Sequence, residues 1–80
     1  MDLIEERLVA CFGVVFPGLG AAQVRSARAD SVPTWDSIAH ISLLTVIGEE
    51  FGIDVDFEQF EGATSFPTLL ERLRARLSGA

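Results

Sequence analysis

Three stretches of this chain carry large apolar residues at helical intervals, each bounded by residues that start or stop helices. The middle one constrains the fold most. Ile38, Ile41, Leu44, Ile47 and Phe51 recur at steps of three or four, and Leu43 and Val46 broaden the stripe. Asp36 stands at its head, where a carboxylate can accept from an orphan backbone N–H. Gly52 stands at its foot, where a left-handed residue ends a helix cheaply. On this pattern Ile38 points inward from the first turn, so its neighbour Ser37 faces outward. Gly48 weakens the helix interior by roughly 1 kcal/mol relative to Ala and permits close approach of another helix or a partner.

The flanking stretches repeat the logic. Leu3, Ile4, Leu8, Cys11, Phe12, Val15 and Phe16 predict a first helix starting near Asp2, with Glu5 at capping-box spacing. Pro17 and Gly18 stop it, and Gly13 offers an earlier end. Phe66, Leu69, Leu70, Leu73 and Leu77 predict a last helix capped by Ser65, with Pro67 tolerated in its first turn. Arg72, Arg74 and Arg76 complement that helix's dipole and form a solvated face. Three apolar faces in 80 residues must bury one another, so the expectation is an all-α bundle, residues 1–80 forming a single domain. It has three main helices, one short one, and a long loop between the first two. That loop, residues 17–35, is long for a structureless connection; a short turn around Ala21 to Arg25 is one way to fill it, with Val24, Val32 and Trp35 as anchors to the core. Val55 and Phe57 alternate with acids, as in a short strand. A short helix from Phe57 to Glu61, ended by Gly62, agrees better with a helical chain.

Charge is unevenly placed. The net charge is −6, yet seven acids fall between Asp36 and Glu61 with no Lys or Arg among them. Such a field repels nucleic acid and attracts basic protein surfaces. No apolar run approaches the length of a membrane span, and the acidic, amphipathic N-terminus is unlike a secretory signal. One cysteine excludes an intrachain disulfide; it fits a reducing compartment, though a single free thiol fits others too, and the expected setting is cytoplasmic; Cys11 reads as a small buried hydrophobe. Metal motifs are missing, so no metal site is expected. His40, between Ile38 and Ile41, reads as a rim residue. Ser37 and His40 are three apart on one helix but lack an orienting group and an oxyanion hole, so no catalytic residue is assigned and the chain is not read as an enzyme.

The segment from Asp36 to Ile53 resembles the acyl carrier protein family. The family's Asp-Ser-Leu motif at the start of its second helix is Asp36-Ser37-Ile38 here. Its closing acidic pair and Phe-Gly-Ile segment are Glu49-Glu50 and Phe51-Gly52-Ile53, at a similar interval, and the element order matches from Asp2 to Leu77. The resemblance implies a 4′-phosphopantetheine arm joined to Ser37 as a phosphodiester. A separate phosphopantetheinyl transferase would install it from coenzyme A, using Mg²⁺ itself, with Asp36 and Ile38 as its recognition residues. The arm's thiol would carry acyl groups as thioesters between enzymes, while the protein does no bond chemistry.

Where the family usually has Gly before Asp-Ser, Trp35 stands here. A subset of carriers shows Trp-Asp-Ser, often with a following His like His40, and includes carriers of small, unusual or aminoacyl units. Ser42, Thr45 and Gly48 make the helix less acidic than in typical fatty-acid carriers. The implied setting is a specialised biosynthetic pathway. Its loading, condensing and transferring enzymes would dock on Trp35, His40, Ile41, Glu49, Glu50, Asp56 and Glu58. Trp35 reads equally as packing anchor or partner contact. An acyl chain sheltered in the interior would neighbour Leu43, Val46, Ile47 and Phe60. A monomer that binds neither nucleic acid nor membrane is expected, and the helix beginning just after Met1 favours a freestanding protein. The alternative is an unmodified acidic helical domain that docks partners through the same helix.

Overall fold

The three long helices form where the apolar stripes meet their boundary residues. In a computed structural model, which describes residues 3–55, 57–60 and 62–78 with Phe57 and Gln59 as backbone only, the order is α1 (Leu3–Val15), α2 (Ala21–Arg25), α3 (Ser37–Phe51), α4 (Phe57–Phe60) and α5 (Phe66–Ser78). The expected helical bundle is present. The long connection is not structureless, because α2 occupies it. The expected cap at Asp2, and Glu61 at the end of the short helix, lie outside the described residues.

Helix α1 runs through Gly13 and buries Leu8, Cys11 and Phe12. Leu3, expected in the stripe, is 70% exposed; five residues before Leu8, it lies about 140° round the helix. Helix α5 behaves as expected. Ser65 Oγ accepts from the Thr68 N–H at 3.3 Å, and Phe66, Leu69 and Leu73 are buried.

Helix α3 corrects the sequence reading. Its buried apolar residues are Leu43, Leu44 and Ile47. Ile38 is 76% exposed and Ile41 is 53% exposed. Ile38 therefore does not point inward; five residues before Leu43, it sits about 140° away round the helix. The residue that continues the buried face toward the N-terminus is His40, four before Leu44 and seven before Ile47. Ser37 is nevertheless exposed, as expected.

Both ends of α3 follow the sequence. Asp36 Oδ1 accepts from the Ala39 N–H at 2.8 Å, and Gly52 takes φ 64°, with its N–H bonded to Gly48 O. The chain then turns back over the helix, and Ile53 N–H also donates to Gly48 O at 3.1 Å. A Cβ on Gly48 would sit 3.1 Å from Ile53 O and 3.2 Å from Val55 Cγ2. The close approach at Gly48 is thus made by the chain's own return, not by another helix.

The core is organised around Phe12. Its ring lies 5.4 Å from Trp35 and 5.4 Å from Phe66, both edge-on, and 5.8 Å from Phe16. Val24, Val32 and Trp35 all anchor the connection in this core. A pairing that no pattern announced ties the connection to the start of α5: Ala29 N–H donates to Thr64 O at 2.8 Å and Phe66 N–H to Ala27 O at 2.9 Å. Outside, Glu5 meets Arg25 at 2.8 Å and Arg74 at 3.9 Å, joining α1, α2 and α5. Arg7 of α1 pairs with Glu50 of α3 at 2.9 Å and lies 4.4 Å over the Phe51 ring.

Two outcomes are expected. Gly52→Ala, forced into left-handed φ, should lower stability by about 1 kcal/mol in urea unfolding. Burial raises the Cys11 thiol from 9.0 to about 11, with Glu50 adding and Arg7 opposing. The unfolded chain therefore loses its thiol proton first. Stability should be full below pH 9.0 and fall between there and about pH 11. Cys11→Ala should lack that slope in unfolding curves measured across the range.

Candidate functional site at the head of helix α3

The site is built by the turn that delivers the chain into α3. Trp35 N–H donates to Val32 O at 2.9 Å, closing a turn that plunges the indole into the core. The ring is 5% exposed, packed on Phe12 and 5.7 Å from Phe16. A buried indole N–H needs an acceptor, and here it donates to His40 Nδ1 at 3.1 Å. Because Trp35 can only donate, Nδ1 must be unprotonated, so in the neutral ring the proton is on Nε2. That nitrogen faces Phe60 O at 3.2 Å and donates to it. His40 is thus a bridge from the connection to α4, not a rim residue. Neither of its nitrogens keeps a lone pair with which to take a proton from Ser37.

With Trp35 anchored, Asp36 and Ser37 are held at the surface. Ser37 occupies the first turn of α3, where backbone N–H groups lack helical partners and the dipole is positive. Beside it opens a cavity of about 520 Å³ whose apolar walls are Ala29, Trp35, Ile41 and Leu44. His40 and Thr64 add polar edges, and Asp36, Ser37 and Glu58 complete the lining. The sequence singles out neither Ala29 nor Thr64, and marks Leu44 only as part of the apolar stripe. Ala29 and Thr64 meet only through the backbone pairing described above, so no local pattern marks them.

The other candidates disperse. Leu43, Ile47 and Phe60 are closed in the core and do not line this cavity. Val46 borders a separate groove with Val14 and Ile38. Trp35 is a packing anchor, too buried to offer a docking face. Ile38 and Ile41 are open beside Ser37. Glu49, Glu50 and Glu58 are exposed, Glu50 being partly neutralised by Arg7; Asp56 lies outside the described residues. Among the described residues no three His, Cys, Asp or Glu side chains converge as metal ligands, and no helix is long and apolar enough to cross a membrane.

Comparison with protein-family models, with curated proteins and with solved structures found no match.

Substitutions at the head of α3 have defined expected effects. Asp36→Ala loses the cap and should destabilise by about 1 kcal/mol. His40→Ala leaves the buried indole N–H without its acceptor and should destabilise by about 1–3 kcal/mol. Ile41→Ala, at an exposed position, should change stability by less than about 0.5 kcal/mol. Chemical denaturation of the three variants checks the ranking.

Proposed function

We propose that this protein is an acyl carrier: Ser37 accepts a 4′-phosphopantetheine arm, and the protein ferries thioester-bound acyl groups between enzymes. The observation that carries the reading is the exposure of Ser37 in the first turn of α3, directly after the Asp36 cap and within the Asp36-Ser37-Ile38 motif. The residues present fit the group. The hydroxyl is open to a transferase, and a phosphodiester there would meet the positive end of a 15-residue helix, worth about 0.3–1 kcal/mol. Asp36 opposes this by like charge, but its Oδ1 is already engaged by the Ala39 N–H.

In the loading step, an Oγ–phosphorus bond forms on Ser37 as coenzyme A's pyrophosphate link breaks. The nucleotide half leaves, and the hydroxyl proton passes to a base on the transferase, which also holds the Mg²⁺. Once attached, the arm supplies a thiol that holds acyl groups as thioesters. The chain's own residues then only present and shelter. Ile38 and Ile41 offer apolar contacts beside the attachment point, and Asp36, Glu49 and Glu58 add the negative field that basic enzyme surfaces recognise. The cavity beside Ser37 gives a small acyl or aminoacyl cargo a place to fold back. The reading includes a cytoplasmic monomer without enzymatic activity, serving loading and condensing enzymes of a specialised biosynthetic pathway. The exposed Ile38 and Ile41 favour a second reading, an unmodified domain that binds partners through the same helix.

Incubation with coenzyme A, Mg²⁺ and a broad-specificity phosphopantetheinyl transferase should add the mass of one phosphopantetheine group, read by intact-protein mass spectrometry. Ser37→Ala should gain none. Asp36→Ala and Ile38→Asp should fold yet be modified more slowly than the parent. A parent chain that stays unmodified with every transferase offered would sink the carrier reading and leave the interaction domain.

A further inference from the structure

The chain contains one histidine and one tryptophan, and they are hydrogen-bonded to each other at the wall of the cavity. We propose that His40 is a proton-operated latch: its neutral ring holds α4 against α3 at the edge of the cavity, and a second ring proton releases it. This inference does not depend on whether Ser37 carries an arm.

The geometry sets the logic. Nδ1 accepts from Trp35 at 3.1 Å while Nε2 donates to Phe60 O at 3.2 Å. The neutral ring satisfies both contacts with its single proton on Nε2. A second proton must go to Nδ1, where it meets the indole N–H head-on. Two donors at that separation cannot bond. One of the rings has to yield. Trp35 is buried against Phe12 and Phe16, ring centroids 5.4 Å and 5.7 Å away, and its backbone N–H is held by Val32 O. His40 is only half-buried and borders the open cavity. The imidazole therefore swings away, and its bond to Phe60 goes with it.

The far end gives readily. Phe60 O also accepts from the Ala63 N–H at 3.0 Å, so it keeps a partner when the ring leaves. The helix it belongs to is four residues long and packs on α3. A helix that short has little stability of its own. Loss of the bridge thus loosens α4, and with it the Glu58 side of the cavity, beside Ser37.

The charged groups that share the cavity lining with His40 are Asp36, from the connection, and Glu58, from α4. Helices α1, α2 and α5 contribute no charged side chain to that lining among the described residues; Asp56 and Glu61, which flank α4, lie outside them. Histidine is the side chain whose ordinary charge change falls within the pH range cells use for switching.

The single indole and the single imidazole make the test direct. In NMR titration of the full chain between about pH 8 and pH 5, the Trp35 indole N–H signal should move with the same midpoint as the His40 ring signals. Hydrogen exchange at the α4 amides should speed up across that midpoint, while exchange in the α1 core stays slow. His40→Asn keeps an acceptor near Trp35, and His40→Gln keeps a donor near Phe60; neither can gain the proton. In both, the indole and α4 signals should lose the step. An indole signal that holds still while the His40 ring titrates overturns the latch. So does an α4 exchange step that survives in the variants. If a variant does not fold, the parent titration alone decides, because the indole and the α4 amides either share the imidazole's midpoint or do not.

Discussion

A tryptophan ring taken out of water brings an N–H that must find an acceptor in the same place, and the head of α3 is arranged around that requirement. Trp35 is buried against Phe12 and Phe16, and its indole proton goes to His40. The acceptor lies on the helix that Trp35's own turn introduces, so one bond sets the entry angle of the chain and the register of α3 below it. Asp36 then falls at the cap and Ser37 in the first exposed turn. The other nitrogen of the same ring reaches α4. A single imidazole thus connects the connection, the long central helix and the short helix, and the cavity beside Ser37 exists because these three elements are held at that spacing.

Electrostatics follows a similar division between local and distant. Along the sequence the segment from Asp36 to Glu61 is wholly acidic. The fold relieves part of that imbalance by bringing Arg7 of α1 across to Glu50 and over the Phe51 ring at the negative end of α3. This places a cation at the helix end that carries two acids and no base of its own.

Much of the architecture could be read without coordinates. Cap and stop residues are local devices: Asp36, Gly52 and Ser65 act on backbone groups within a few residues, and each does what its position in the sequence predicts. The error on α3 is instructive because its spacing was read correctly. The buried face recurs every three or four residues as expected, but it passes through His40, Leu44 and Ile47, while the equally spaced Ile38 and Ile41 face outward. Apolar character alone chose the isoleucines. A histidine enters the buried face because an indole five residues before it and a carbonyl twenty residues after it satisfy its two nitrogens, and neither partner belongs to α3.

The sequence by itself determined the long helices, the residues that end them, the exposure of Ser37 and the burial of Cys11 and Val24, because those depend on local hydrogen bonding and on how much apolar surface each segment must hide. Only the tertiary structure decided which side of α3 meets the core, what holds Trp35, where Ala29 and Thr64 come together and how a cavity comes to stand beside the serine. Those features are made by side chains and backbone groups many residues apart. Their energies depend on distance in space, which spacing along a chain does not encode.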